Sequence, residues 1–600
     1  SGEKSFSSPV QSWLDRSTED RRPALLQVNG FHGPNMSFLC HLRAHLGGVL
    51  RARLRKQAQG FLDSTHRCRD VQERVLEKLL HLNGTSQYAQ KYHLKTSDSI
   101  SSFRRKIPVS NFDDYAPYVE KMKTGETDAL LGPKNKLLMF TLSSGTTSHS
   151  KFIPITNQFL DDYKRGWQTW GIRAFDDHPG VHTRKILQLT SDYDKFRTPA
   201  QTPCGNISGL VAAMQKKIVR TMYCVPRKIA KIEDPDAKLY ATLRFALADR
   251  NLGFVATANP STLIQVAKFA SSFCEDLIRD IADGTLSRKF QLPKEVSAGL
   301  AKKVKKKNRR RARELDKIVE RTGEFLPKDY WNELQLIGVW TGGSAGAYLD
   351  GLHHNFGDVP VRDHGLSASE GRMSFPFHDR SSSGVLDIGT HFFEFIPEDE
   401  YDRPNPTLLQ AYELEPEQNY FILLTTSSGF YRYDICDVVR CTGFFNSTPM
   451  IEFLNKGSHI SNITGEKISE SQVVEAVKVC VAELQLQVKH FTVSPAWGEP
   501  PRYHLMIEET DLPGGAVGKK LSRKVDDRLQ QLNCEYRDKR TSGRLDTIVW
   551  IPLPAGTWQR FSRRGLSQLG GSVEQYKHPC LVTDMNFSES LVEQFGRTAA

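Results

Sequence analysis

The chain has 600 residues, 39% hydrophobic and 25% charged, with a formal net charge of +12. That length and balance fit a globular protein with one large domain and one small one, and exclude a disordered chain. No run of about 18 apolar residues occurs, which excludes a membrane-spanning helix, and the ten cysteines form neither a CxxC pair nor a Cys/His ligand spacing, which argues against a zinc module and a disulfide framework.

In chain order, residues 1–60 are rich in Arg and Leu and open without a basic-then-apolar leader pattern. The first residue is Ser rather than Met, so the question of a removed leader stays open. "MSFLCHLRAHLGGVLRARLRKQ" reads as an amphipathic helix packed on the main domain, with a membrane surface as the lesser reading. The extension 1–60 is expected to be helical and in part disordered. Helical pattern continues to Leu94, and "KLLMFTLSS" then gives an apolar strand ending in small polar residues, a usual place for a ligand loop in an α/β sheet.

The middle alternates strands ("RKILQLTS", "LGFVATAN", "LQLIGVWTG") with helices such as "STLIQVAKFASSFCEDLIRDIADG", which predicts α/β architecture with parallel strands. Within it, "KKVKKKNRRRAR" (302–313) is the densest basic run. It reads as the solvated face of a surface helix, with an acidic protein, RNA or acidic lipid as the alternative partner and a nuclear address as another. After Gly384 the pattern is strand-rich, and from about 457 two helices and two strands suggest a separate small α+β domain. The expected domains are therefore 61–455 and 456–600, after the extension 1–60.

Three segments carry candidate chemistry. Ser143, Ser144, Gly145, Thr146, Thr147 and Lys151 offer backbone N–H groups, hydroxyls and one ammonium, which suit a polyphosphate, although a polar hairpin turn explains the same residues. The GxxxxGK[ST] spacing of a P-loop is absent, and Ser148 and Lys151 match S-x-x-K without the companion motifs of serine acyl-enzymes. Glu370, at the end of a short strand, could cap a helix, face water, or offer hard oxygen to Mg²⁺ beside a phosphate. Asp434 and Asp437 stand in an aromatic strand segment, where carboxylates are disfavoured, and ribose hydroxyls would give them a purpose.

"WTGGSAGAY" fails the G-x-G-x-x-G spacing of a dinucleotide site. His353, His354 and His364 suggest a metal, but neighbouring surface histidines explain two of them more simply.

Taken in order, Ser144-Gly145-Thr146-Thr147 with Lys151, Ala368-Ser369-Glu370, and Tyr431-Arg432-Tyr433 with Asp437 resemble the three nucleotide motifs of acyl-adenylate-forming ligases of the firefly-luciferase-like superfamily. "FRRKIPVSNFDDYAPYVEKMKTGE", "KFIPIT", "VWTGGSAGAYLDGLHHNFGDVPVRDHGLSASEGR" and "TGEKISESQVVEAV" narrow the likeness. Over about residues 60–600, the chain resembles the Gretchen Hagen (auxin-responsive) family of acyl acid amido synthetases, its bacterial-type members most.

The resemblance implies a large adenylate-forming domain with mixed and parallel sheets flanked by helices, and a small mobile C-terminal domain beyond a hinge at Asn455-Lys456-Gly457. It assigns Ser143 to Thr147 and Lys151 to the ATP phosphates, Glu370 to Mg²⁺ and Asp437, with Tyr433 beside it, to the ribose. Gly365, Leu366, Ser367 and Ser369 would border the nucleotide. Lys467 would approach the adenylate phosphate, Lys577 matches the late motif, and Trp340, Thr341 and Gly342 would line the acid pocket. The chain departs from the family pattern at Ser148, Ser150, Leu366 and Cys436, where Gly, Pro, an aromatic residue and Gly are common.

The implied activity is adenylation of a carboxylic acid by MgATP followed by acyl transfer to an amine, with an amino acid as the expected acceptor. The expected protein is a cytoplasmic monomer with small-molecule substrates. A binding or scaffold protein on the same fold is the alternative, and a thioester-forming ligase a lesser one.

Overall fold

The parallel sheet forms because its strands are short, apolar on both faces and separated by helices that cover them. In the computed structural model, which describes residues 38–143, 151–215, 217–457, 460–461, 463–464, 466, 468–541, 543–569 and 576–595, its order is Lys185–Gln188, Leu252–Ala256, Leu336–Gly338, Val361–Arg362. Every neighbouring pair is parallel. All five residues of Leu252–Ala256 are buried. The helices Pro235–Ala246, Pro260–Ser272, Cys274–Asp283 and Arg309–Thr322 supply the core on this sheet, around Tyr240, Leu263, Leu277 and Leu315. The α/β architecture expected from alternation is what the chain adopts.

The strand-rich segment builds a seven-stranded antiparallel sheet, in the order Ser374–Phe375, Gly384–Leu386, Thr448–Lys456, Tyr433–Phe445, Asn419–Thr425, Phe392–Pro397, Leu409–Gln410. Tyr433–Phe445 carries register shifts against both neighbours, the local irregularities by which a long strand bends and re-aims its side chains. Leu137–Ser143 pairs with Lys151–Thr156 as an antiparallel hairpin, and Ser143 stands opposite Lys151.

The C-terminal part is smaller. Phe491–Ala496 and Arg502–Glu508 pair antiparallel, and Val549–Leu553 joins in parallel. The helices Glu470–Glu483 and Gly515–Leu532 pack on this sheet through Val473, Val477, Leu521 and Val525. Ser469 and Gln472 form a capping box at the first helix, a device that fixes its start by satisfying backbone donors on both sides.

The chain divides into two units, Ser1–Gly48 and Val49–Ala600. Of the first unit only the opening of the helix Phe38–Ser64 is described. Among the described residues no helix is long and apolar enough to cross a membrane.

One expectation is corrected. The basic run 302–313 is not one helical face: Lys294–Val304 ends inside it, Asn308 caps a new helix by accepting from Arg311 N at 3.1 Å, and Arg309–Thr322 follows. Arg311 is buried and donates to Leu247 O at 3.0 Å and Tyr330 O at 2.5 Å, so one of the run's cations is a structural strut. Asn308 has a low intrinsic preference for helix interiors and a high one for caps, and that breaks the run.

Candidate active site

Tyr431-Arg432-Tyr433 is locked before any ligand is considered. Tyr115 Oη donates to Tyr431 O at 2.7 Å and accepts from Tyr431 N at 2.8 Å. Arg432 Nε meets Glu394 Oε2 at 2.9 Å, Arg104 Nε meets Glu394 Oε1 at 2.7 Å, and Arg432 also donates to Ile107 O at 2.6 Å. Ser110 bridges the strand through Ser110 N to Arg432 O and Asp434 N to Ser110 O. Two of the network's nitrogens, Arg432 Nη2 and Arg104 Nη2, are buried without a partner, but the paired charges on Glu394 still orient the start of the strand that carries Asp437.

Asp437 is 3% exposed and ion-paired with Lys456 Nζ, its Cα partner across the hairpin. Lys456 also donates to Ile435 O at 3.2 Å. Burial works against the Lys456 charge, but Asp437 and then Glu370 outweigh it and raise its pKa. Glu370 sits at the turn between Ser367–Ala368 and Gly371–Arg372 and is 7% exposed. Burial raises its carboxyl pKa and Asp437 adds to that, while Lys456 and Lys151 oppose it. Burial, followed by the neighbouring Glu370 carboxylate, raises the Tyr433 phenol.

Lys577 enters from the C-terminal part. Its ammonium lies 4.6 Å from the Trp340 ring centroid and 5.4 Å from that of Phe453. The side chain keeps access to solvent, yet cleft walls surround it, and this desolvation lowers its pKa against the pull of Asp437. Four regions distant in sequence, one of them the hairpin that carries both Asp437 and Lys456, thus bring Lys151, Glu370, Asp437, Lys456 and Lys577 into one electrostatic neighbourhood.

The Ser367-Ala368-Ser369 edge is half-buried beside Glu370, and Leu366 is buried in the main core. Gly365 has φ +86°, and a Cβ there would lie 2.1 Å from Ser374 O, so the turn requires glycine. Thr341 Oγ1 donates to Asp363 Oδ2 at 2.8 Å, and Asp363 Oδ1 accepts from Gly365 N at 2.6 Å. Asp363 therefore joins the Trp340-Thr341-Gly342 segment to the hairpin that carries Glu370. A Cβ at Gly342 would lie 3.3 Å from Phe453 O, so this segment runs close against the strand that ends in Lys456.

Ser144, Gly145, Thr146, Thr147 and Lys467 lie outside the described residues, as does the Ser143 side chain. The described part of the phosphate hairpin is its two strands, with Lys151 5.5 Å from the Phe112 ring centroid.

Asp434 has another task than Asp437. It accepts from Tyr401 Oη at 2.5 Å and from Cys436 N at 2.7 Å, pinning the turn in which Cys436 takes φ +56°. The left-handed backbone at Cys436 is a conformation that glycine adopts without strain, which accords with the glycine expected there from the resemblance. Lys456 is the site residue that sequence reasoning misses: the motifs mark it only as part of a hinge, since its pairing with Asp437 depends on hairpin register. His364 is buried against Trp167 and Trp170, with burial lowering its pKa to about 3, and His353 pairs with Asp358 on the surface. Among the described residues no group of three or more His, Cys, Asp and Glu is placed to hold a metal.

The family comparisons agree with this layout. Residues 57–361 match the GH3 family N-terminal domain, 384–456 the GH3 family central domain and 471–586 the GH3 family C-terminal domain. A jasmonoyl–L-amino acid synthetase of Nicotiana attenuata is 24% identical over 88% of this chain and 95% of its own length. An indole-3-acetic acid-amido synthetase of Arabidopsis thaliana is 22% identical over 86% and 89%. The solved structure of the GH3.15 acyl acid amido synthetase superposes with a TM-score of 0.79 at 21% identity, covering 90% of this chain and 95% of that one, which establishes the fold. With three consecutive family domains spanning most of its length, the chain belongs to the GH3 family.

Proposed function

We propose that this protein is an ATP-dependent acyl acid amido synthetase that joins a carboxylic acid to an amine, most simply the amino group of an amino acid. The observation that carries the reading is the convergence of the buried Glu370 and Asp437 with the more exposed Lys456, Lys577 and Lys151, an acid-and-lysine cluster on a fold whose relatives are named for acid–amino acid conjugation.

A carboxylate is a poor acyl donor because its leaving group would be oxide. In the first step its oxygen attacks the α-phosphorus of ATP, a P–O bond forms, and pyrophosphate leaves. In the second step the amine nitrogen attacks the acyl carbonyl, the C–O bond to phosphate breaks, AMP departs, and the nitrogen loses its proton to solvent or a carboxylate. The lysines offset charge on the phosphates, and the buried acids and cleft walls beside them strengthen these interactions relative to open water.

Lys151 closes the phosphate hairpin and, with Ser143 to Thr147, grips the phosphates. Asp437 accepts from the ribose hydroxyls, Tyr433 steadies Glu370, and the edge Gly365 to Ser369 borders the nucleotide. Glu370 offers the hard oxygen that suits Mg²⁺, which when bound beside it would neutralise phosphate charge. Lys467 and Lys577 act from the C-terminal domain, which rotates about Asn455 to Gly457 between the two steps. Trp340, Thr341 and Gly342 form the acid-side wall. The eight cysteines whose side chains are described are all unpaired, which suits the cytoplasm.

The test is pyrophosphate release with MgATP over aryl, indolyl, fatty and jasmonate-like acids, each with and without an amino-acid pool. Release should require an acid, and Glu370→Ala should lower it at least ~100-fold at unchanged secondary structure. Acid-independent release, or none over the whole panel, would remove the amido synthetase reading.

A further inference from the structure

Away from the acid-and-lysine cluster, a cavity of about 420 Å³ lies between the helices Phe38–Ser64, Cys68–Asn83 and Asn157–Asp177 and the segment from Phe375 to Gly389. That volume falls within the range of about 300–1,000 Å³ typical of small-molecule sites. Phe61, Val71, Val75 and Phe375 give it an apolar wall, Gly60 leaves open space that a side chain would fill, and Gly166 lets the Arg372 side chain pack close beside Phe375.

Its charged groups are arranged by depth. Arg74 and Lys78 stand exposed on successive turns of one helix, and neither forms an ion pair among the described residues. Arg165 is held by Asp162, whose Oδ2 lies buried without a hydrogen-bond partner. Deepest is Asp387, 4% exposed, whose carboxyl is pushed up to about 7 by burial and the nearby Asp162 against Arg165 and Arg372. In its protonated form, favoured below about pH 7, this carboxyl donates a hydrogen bond instead of repelling an anion. The cavity thus presents two exposed cations at its mouth, Lys78 also drawn toward the buried Asp162, and an apolar body.

We propose that this cavity is a second small-molecule site that binds an amphipathic organic anion, an apolar body carrying one carboxylate, seated with its body against Phe61 and Phe375 and its charge toward Lys78 and Arg74. Both a free acyl acid and its amino-acid conjugate have this chemistry. The ligand class rests on the cavity alone and not on the adenylation reading.

The probe is 1-anilinonaphthalene-8-sulfonate, titrated by fluorescence into the full-length protein without ATP. Saturable one-to-one binding is expected, weakening with salt as charge is screened. Displacement is then measured in two arms, with 4-phenylbutyrate and with its glycine conjugate, and the stronger arm identifies the source; the methyl ester of the acid should displace at least ~10-fold less well. Gly60→Phe, a helical position whose Cβ meets open space, should block the cavity and reduce probe affinity at least ~10-fold. Lys78→Glu, on the exposed helix face, should reduce it about 5-fold with the fold intact. Saturating ATP should leave the titration unchanged. No saturable binding, binding indifferent to both variants, or binding abolished by ATP would each overturn the proposal, and none of these outcomes depends on whether the protein releases pyrophosphate.

Discussion

Asp434 and Asp437 are three residues apart and look interchangeable in sequence, yet one braces a turn through Tyr401 and the other faces Lys456. The difference is set by the left-handed residue between them, Cys436, which sequence does not reveal at a non-glycine position. Asp387 is a third buried acid and carries a pH signature of its own. Its folded pKa of about 7 lies above the ordinary aspartate value of 3.8, with burial the leading cause. Below the unfolded value both states are neutral and nothing is lost. As pH rises toward the folded value, the unfolded chain gains from ionisation and the folded one does not, so stability falls and the loss is complete above about pH 7. At about 1.4 kcal/mol per unit the loss reaches at most about 4 kcal/mol. Asp387→Asn should therefore match the natural protein in urea midpoint near pH 4 and exceed it at pH 8; an identical difference at both pH values would show that Asp387 does not carry this penalty.

The elements are largely legible in the sequence because their signals are local. Alternation of apolar runs with helical periodicity gives the parallel sheet, and the aromatic strand texture after Gly384 gives the antiparallel one. Register is not legible: Lys456 meets Asp437 only because the Tyr433–Phe445 and Thr448–Lys456 hairpin pairs them across a turn, with irregularities that no spacing rule locates. The break of the basic run at Asn308 is visible as a capping residue, but the surrounding charge masks it. The hairpin bearing Glu370 shows how closely an element depends on one position. Gly365 N is held by Asp363, Leu366 N donates to Ser374 Oγ at 2.9 Å, and Gly365 is both left-handed and pressed on Ser374 O. Gly365→Ala should destabilise the fold by more than about 2 kcal/mol, since left-handed strain of about 1–2 kcal/mol adds to the collision. Chemical denaturation reads this directly, and a loss below about 0.5 kcal/mol, within the range of neutral surface changes, would mean that the hairpin relaxes.

At the scale of the molecule, the site is completed by contacts between the large domain and the C-terminal part. Tyr348 Oη meets His490 Nδ1 at 3.1 Å, Asn259 donates to Tyr576 O at 2.8 Å, and Lys577 follows Tyr576 into the cleft over Trp340. The His490 ring lies 4.9 Å from that of His578, so two imidazoles share this seam. Burial lowers the His490 pKa to about 4, Lys268 and Lys489 push the same way, and Asp511 opposes them; burial followed by His490 lowers His578 further. Both rings are therefore neutral in this arrangement near neutral pH. A depressed histidine pKa stabilises the closed form above the ordinary value of 6.5, and that contribution is lost as pH falls through 6.5 toward 4, when a solvated imidazole would take up a proton. The loss from His490 amounts to about 1–3 kcal/mol, enough to shift the domain closure proposed above by roughly 5- to 150-fold. Small-angle scattering at pH 7.5 and 4.5 should show a larger radius of gyration in acid, while far-ultraviolet circular dichroism remains unchanged. His490→Gln keeps a hydrogen-bonding partner for Tyr348 and removes the titration, so its radius should stay near the neutral-pH value at both. An acid expansion of equal size in that variant would assign the transition to other groups and leave the seam without a pH-sensitive latch at His490.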